Sequence, residues 1–178
     1  MTDDKKQSGS RIIIDKLNFA EWQKFKELRL RAIREDPQAF ITPYAKEIQT
    51  TNEKWQERLK NYQGENAIMF FAKDDKNLVG MIGTYWNDKN DSEITAHIFG
   101  VYVNKKYRGQ KIGKALMKKV LQYIRERKNI HLVNLRVNVE DKAPFHLYES
   151  VGFVEIGRTK IKTSDGTIHN KILMEMRI

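Results

Sequence analysis

The chain has 178 residues, with 33 Lys and Arg against 23 Asp and Glu, a formal charge of +10, and no cysteine. That length is enough for one domain with a sizeable core, and the lack of cysteine excludes disulfides, a thiolate metal site and a cysteine nucleophile. Hydrophobic residues make up 40%, which argues against disorder of the whole chain, and no apolar run approaches the roughly 18 residues of a membrane span.

Residues 1–10, MTDDKKQSGS, lack the apolar core of a signal peptide and read as a flexible tail. The folded domain is expected over 11–178, and a cytoplasmic location follows by default. The β-branched run Ile12-Ile13-Ile14 predicts a first strand within Arg11–Leu17. Trp22, Phe25, Leu28, Leu30 and Ile33 recur at rough helical spacing and predict a helix over Ala20–Arg34, ended by Asp36-Pro37. Pro37 to Thr51 reads as irregular. Thr51–Asn61 reads as a second helix, capped at Thr51 and with Trp55 and Leu59 on one face.

Ala67–Lys73 and Leu78–Asn87 read as strands joined by the polar turn Asp74-Asp75-Lys76-Asn77, and Glu93–Val103 as the next strand. A long amphipathic helix is expected over Ile112–Lys128, with Ile112, Ala115, Leu116, Val120, Tyr123 and Ile124 on its apolar face. His131–Val139 predicts a strand, with Val133, Leu135 and Val137 on one side. Asp141–Ser150 predicts a short helix closed by Gly152. Phe153–Ile161 and Ile168–Ile178 form a hairpin around Ser164-Asp165-Gly166. His131, His146 and His169 lie far apart without ligand spacing, so no metal is expected.

The stretch Arg108-Gly109-Gln110-Lys111-Ile112-Gly113-Lys114 carries the chemistry. It joins a buried-looking strand to a helix start through a glycine-containing turn. The first N–H groups of a helix have no internal partner and its N-terminus is partly positive, so a phosphate there accepts several hydrogen bonds. The dipole alone contributes only about 0.3–1 kcal/mol, so the site needs cations. Residues 105–128 hold ten Lys and Arg and one acid, Glu126, which is +9 of the chain's +10. Such a face also suits nucleic acid, but a turn feeding a helix start favours a phosphorylated cofactor.

Two blocks resemble the GNAT superfamily of acyl-CoA-dependent N-acetyltransferases. The first is Val101-Tyr102-Val103 followed by Arg108-Gly109-Gln110-Lys111-Ile112-Gly113, similar to that family's Arg/Gln-x-x-Gly-x-Gly/Ala. The second is Leu147-Tyr148-Glu149-Ser150-Val151-Gly152-Phe153, similar to its Leu-Tyr-x-x-x-Gly-Phe. The resemblance implies an α/β (α+β) single-domain GNAT-like fold: a mixed, mostly antiparallel twisted sheet of six to seven strands flanked by about four helices. It implies acetyl-CoA as co-substrate, held by Val101, Tyr102, Val103, Arg108, Gly109, Gln110, Lys111, Ile112, Gly113 and Lys114. Lys111 stands where the family has its first motif glycine. With a helical φ it would keep its N–H available; Gln110-x-x-Gly113-x-Ala115 also fits the pattern. Asp141 stands where the family often has Asn; it can cap the following helix, and Asn138 is a substitute amide.

Acetyl transfer to an amine needs a base, a donor to the thioester oxygen and an acid for the departing thiolate. A lysine-like amine of pKa about 10.4 costs near 4.6 kcal/mol to deprotonate at pH 7, so a base of near-neutral pKa helps. The resemblance places His97 in the base position, six residues before Val103, with Glu93 acting through water as the reserve. It assigns Tyr148 as the proton donor to sulfur. The Val101 N–H would serve as the oxyanion donor, beside two strands that splay apart there. The expected acceptor is an amine of a small molecule or peptide, shaped by segments 19–62 and 162–168, with Tyr85 and Trp86 as a wall. The acids Glu47, Glu53 and Glu57 support a cationic acceptor. The expected activity is N-acetyl transfer by direct attack, without nucleic acid or membrane as partner; a homodimer is left open. The competing class is a basic nucleic-acid- or partner-binding module with CoA as ligand only.

Overall fold

The computed structural model describes residues 11–86 and 94–178. Seven strands form one sheet in the order β1 (Ile12–Asp15), β2 (Ala67–Asp74), β3 (Asn77–Trp86), β4 (Ile94–Val103), β5 (Ile130–Asn138), β7 (Ile168–Arg177) and β6 (Val154–Lys162). Every neighbouring pair is antiparallel except β4 with β5. The helices are α1 (Trp22–Glu35), α2 (Tyr44–Glu47), α3 (Asn52–Asn61), α4 (Ile112–Arg125) and α5 (Lys142–Glu149). The expected mixed, mostly antiparallel sheet is found, with one helix more than expected. The addition is α2, inside the stretch that reads as irregular, where Pro43 stands at the N-cap and leaves no apolar period to read. The expectations for residues 1–10, and for Glu93 as strand start and reserve base, lie outside the described residues.

The central strands are buried on both faces, as the unbroken run Ile68-Met69-Phe70-Phe71-Ala72 in β2 requires. One face packs on α4 through Ile112, Leu116, Met117, Val120, Leu121 and Ile124. Ala115, assigned to that face from the sequence, is exposed instead; Met117 and Leu121 complete the stripe. The other face packs on α1 and α3, where Phe25, Leu28, Trp55 and Leu59 meet Met69, Phe71, Met81 and Tyr102. The Thr51 hydroxyl accepts from the Lys54 N–H at 3.4 Å and starts α3 as its sequence implies. Leu116 is fully buried, so its truncation to Ala removes roughly 2–5 kcal/mol from the α4 face.

Two irregularities open the sheet at one place. β4 and β5 pair only from Ile94–Ile130 to His97–Asn134, and β4 runs on to Val103 without its neighbour. On the other side the β3–β4 register slips. Phe99 pairs with Gly83 and Tyr102 with Met81, leaving Gly100 and Val101 opposite Ile82 alone. This is a β-bulge, and Gly100 takes the positive φ of +63° that a side chain would resist. Val101 is left paired on neither flank. No helix among the described residues is long and apolar enough to cross a membrane.

Candidate active site

A cavity of about 700 Å³ fills the fork, inside the range of roughly 300–1,000 Å³ usual for small-molecule sites. Val101, Tyr102 and Val103 form one wall, and α5 with Asp141, Leu147 and Tyr148 forms the opposite wall. Arg108, Gly109, Lys111, Ile112, Gly113 and Lys114 close one end. Of the residues expected here, His97, Gln110 and Asn138 do not line the cavity. His97 sits where β4 and β5 part, and Asn138 faces Lys171 at the end of β5.

The helix start is built differently from its sequence reading. Lys111 is the N-cap of α4 at φ 61°, ψ 11°, a left-handed rather than helical conformation. A lysine therefore occupies a backbone shape that the family motif fills with glycine, at a cost of order 1–3 kcal/mol. The turn still leaves the first N–H groups of α4 without internal partners. Gly113 lies on the first turn, where an added Cβ would come within 3.2 Å of Leu147 Cδ2. The absent side chain keeps the gap between α4 and α5 open.

The loop after α1 contributes a wall that sequence reading missed: Asp36, Gln38 and Ala39 line the cavity. Arg108 donates from Nε to the Val103 carbonyl oxygen at 2.9 Å and pairs through Nη2 with Asp36. Its guanidinium is thus shared with a carboxylate rather than held free for phosphate. Gln38 donates to Asp141 at 3.4 Å, and the Lys171 ammonium donates to the Gln38 carbonyl oxygen at 2.6 Å. Burial pushes the Lys171 ammonium down from its ordinary pKa, and Asp141 opposes that shift. Asp141 holds the N-cap position of α5 but makes no capping hydrogen bond, because its side chain goes to Gln38 instead. Tyr107, also on the wall, donates to Asp74 at 2.7 Å.

Tyr148 is 5% exposed. Burial, then the nearby Asp141 carboxylate, pushes its phenol well above the ordinary range, so the group keeps its proton at neutral pH. Tyr102 points the other way: its hydroxyl donates to Glu35 of α1 at 2.8 Å, and burial followed by Glu35 raises its pKa. Only the Tyr102 main chain therefore faces the cavity wall.

His97 lies on the α1/α3 face of β4, stacked on Tyr85 at a ring separation of 5.0 Å, with Nδ1 2.6 Å from Asn134 Oδ1. With that oxygen as acceptor, Nδ1 carries the proton and Nε2 presents its lone pair. Tyr85 shares this face with His97 and Phe99 and is exposed. Trp86, expected beside it, is buried on the α4 face against Tyr123 and Arg127, because successive strand residues alternate sides. Among the described residues no group of three or more His, Cys, Asp or Glu is placed to hold a metal ion.

The α1/α3 side of the sheet holds an ion cluster. Glu47 is 1% exposed, and one of its oxygens accepts from Arg58 Nη1 at 2.8 Å and Arg29 Nε at 3.4 Å. Burial pushes the Arg29 guanidinium down and Glu47 opposes it, yet a guanidinium stays charged. The expectation that Glu47 would attract a cation therefore does not hold, since both arginines already claim it.

The acetyltransferase (GNAT) family model matches residues 27–153. The chain belongs to the GNAT acetyltransferase family. Human N-acetyltransferase 8 is 29% identical over 102 residues, 56% of this chain and 44% of that protein. The chain thus spans about half the length of the curated relatives it matches. The GNAT-family acetyltransferase of Streptococcus pneumoniae aligns with a TM-score of 0.76 at 17% identity, covering 94% of this chain and 100% of that one. The Vibrio cholerae spermidine N-acetyltransferase, solved with CoA and spermine, aligns with a TM-score of 0.73 at 19% identity, covering 95% and 96%. At those identities the two structures share the GNAT fold with this chain.

Proposed function

We propose that this GNAT chain is an acetyl-CoA-dependent N-acetyltransferase, acting through a domain at 11–178 on a primary amine of a small molecule or peptide. The unpaired Val101 main chain carries the reading. It faces a fork cavity that has the start of α4 at one end and a protonated phenol in the opposite wall. Membership of an acetyltransferase family and a neighbour of the same fold that holds CoA support the same ligand.

The residues present suit that ligand. The free N–H groups of the first α4 turn receive phosphate oxygens, and Lys111, Lys114 and Lys142 add cations from the cavity lining. The Val101 N–H is oriented by the bulge and donates to the carbonyl oxygen where negative charge develops. Tyr148 gives its proton to the departing sulfur. His97, with Nδ1 engaged by Asn134, takes the amine proton at Nε2.

Acetyl-CoA is expected to stabilise the fold by about 2.7 kcal/mol at a hundred-fold excess over Kd. Thermal melts with and without millimolar acetyl-CoA, followed by thiol release over a panel of amines, test the assignment. A melt that does not move, together with no thiol release, removes it.

A further inference from the structure

Resting on that activity, we infer that the acceptor of this chain carries a carboxylate beside its amine, as an α-amino acid does, and that Arg29 receives it. The first observation is a charge imbalance. Two arginines, Arg29 and Arg58, meet a single buried carboxylate on one and the same oxygen, Glu47 Oε1. The cluster keeps one net positive charge; Arg58 is 36% exposed and meets solvent, whereas Arg29 is largely buried, where a charge without a close partner is unfavourable.

The second observation is where the surplus lies. Among the described residues Arg29 makes one hydrogen bond, from Nε to Glu47, at the long distance of 3.4 Å. Its two terminal nitrogens, the forked pair that suits a carboxylate, bond to no described residue. Arg58 is pulled toward Trp55 and holds Glu47 more closely. The Arg29 guanidinium is seated over the Phe40 ring at 4.3 Å, and its side chain retains 18% exposure.

The third observation is its position on the reaction path. Arg29 Nη1 lies 3.6 Å from the place where a Cβ on Gly100 would stand. Gly100 is the bulge residue next to Val101, the two Cα atoms being about 3.8 Å apart. The guanidinium thus sits against the strand that bears the oxyanion donor, on the face that also carries His97. The amine and carboxylate of an α-amino acid share one carbon, so an amine directed at Val101 keeps its carboxylate within reach of Arg29. The Phe99 ring covers Gly83, where a Cβ would meet its Cζ at 2.5 Å, and Tyr62 and Tyr85 flank it. A polyamine would bring further positive charge to a cluster that is already positive.

The test is steady-state thiol release with the full chain and acetyl-CoA, comparing free L-amino acids, their C-terminal amides and spermidine. The free acid is expected to exceed its amide in kcat/KM by about 30-fold or more, the loss usual when one partner of a buried charge pair is removed. Arg29→Gln is expected to abolish that ratio, and Arg29→Lys to keep part of it, with acetyl-CoA Kd unchanged in both. The wild-type comparison stands even if Arg29→Gln fails to fold. Amides that match their acids, a preference for spermidine, or an acid-to-amide ratio that survives in Arg29→Gln each overturn the inference. Thiol release with spermidine but with no free acid sinks the inference and leaves the acetyltransferase reading standing. Absence of both acetyl-CoA binding and turnover removes the two together.

Discussion

His97 and Asn134 are the last residues at which β4 and β5 pair, and their side chains meet at 2.6 Å at that point. Beyond them β4 has no neighbour on that side and the cavity begins. The base proposed for the amine is therefore attached to the vertex of the fork, with its ring orientation set by the amide across it.

That relation separates two roles. His97→Ala is expected to lower kcat/KM by about 10²–10⁴, the usual contribution of a positioned base, and to erase its ascending pH limb. Asn134→Leu leaves the imidazole in place but unoriented, so the limb should persist with a smaller loss. The pH profiles of both variants with one acceptor decide it. A limb retained in His97→Ala removes the histidine from the reaction.

Tyr148→Phe is expected to lower kcat while acetyl-CoA affinity stays within a few fold, because the ring still fills its buried place. The raised phenol also predicts a pH effect on stability. A group whose folded pKa lies above its unfolded value of about 10 stabilises fully below that pH. The stabilisation is lost as pH climbs above it, at up to about 1.4 kcal/mol per pH unit for each phenol. Tyr102 and Tyr148 both shift upward. Denaturant titrations above pH 10 should fall more steeply for wild type than for the Tyr102→Phe/Tyr148→Phe double variant.

Lys111 tests the turn. Glycine fits φ 61° without strain, so Lys111→Gly is expected to leave unfolding free energy equal or raised by about 1 kcal/mol. Lys111→Val places a β-branched side chain in the left-handed region and should cost about 1–3 kcal/mol. Equal midpoints for the two in urea would mean that the turn relaxes out of the left-handed region.

Asp36 shares the cavity wall with Arg108 and occupies its guanidinium. Asp36→Asn removes a carboxylate from the phosphate end and frees the arginine. Acetyl-CoA should bind up to about fivefold tighter at low salt, the scale of an exposed ion pair, with the gain fading as salt rises. Calorimetric Kd at two ionic strengths reads this directly. Weaker binding would mean that the Asp36–Arg108 pair is needed to shape the wall.

Local pattern alone determined much of this protein. The strands announce themselves through β-branched and aromatic runs, α3 through its Thr51 cap, and α4 through its period and its concentrated positive charge. The blocks at 108–113 and 147–153, in that order, were enough to indicate the GNAT resemblance, and they supply one end and one wall of the cavity. Tertiary structure decided what depends on residues distant in the chain. Asp36 reaches Arg108 from 72 residues away and Lys171 reaches Gln38 from 133 away, and no local period records such pairs. Tyr85 and Trp86 read from the sequence as one wall; the packed layers put them on opposite faces, Trp86 in the core and Tyr85 exposed. The bulge at Gly100 adds one residue to β4 and so frees Val101, a change in register that exists only once β3 lies beside it. Glu47 reads in isolation as a surface acid; folding buries it between two arginines and so reverses the charge that this side of the sheet presents.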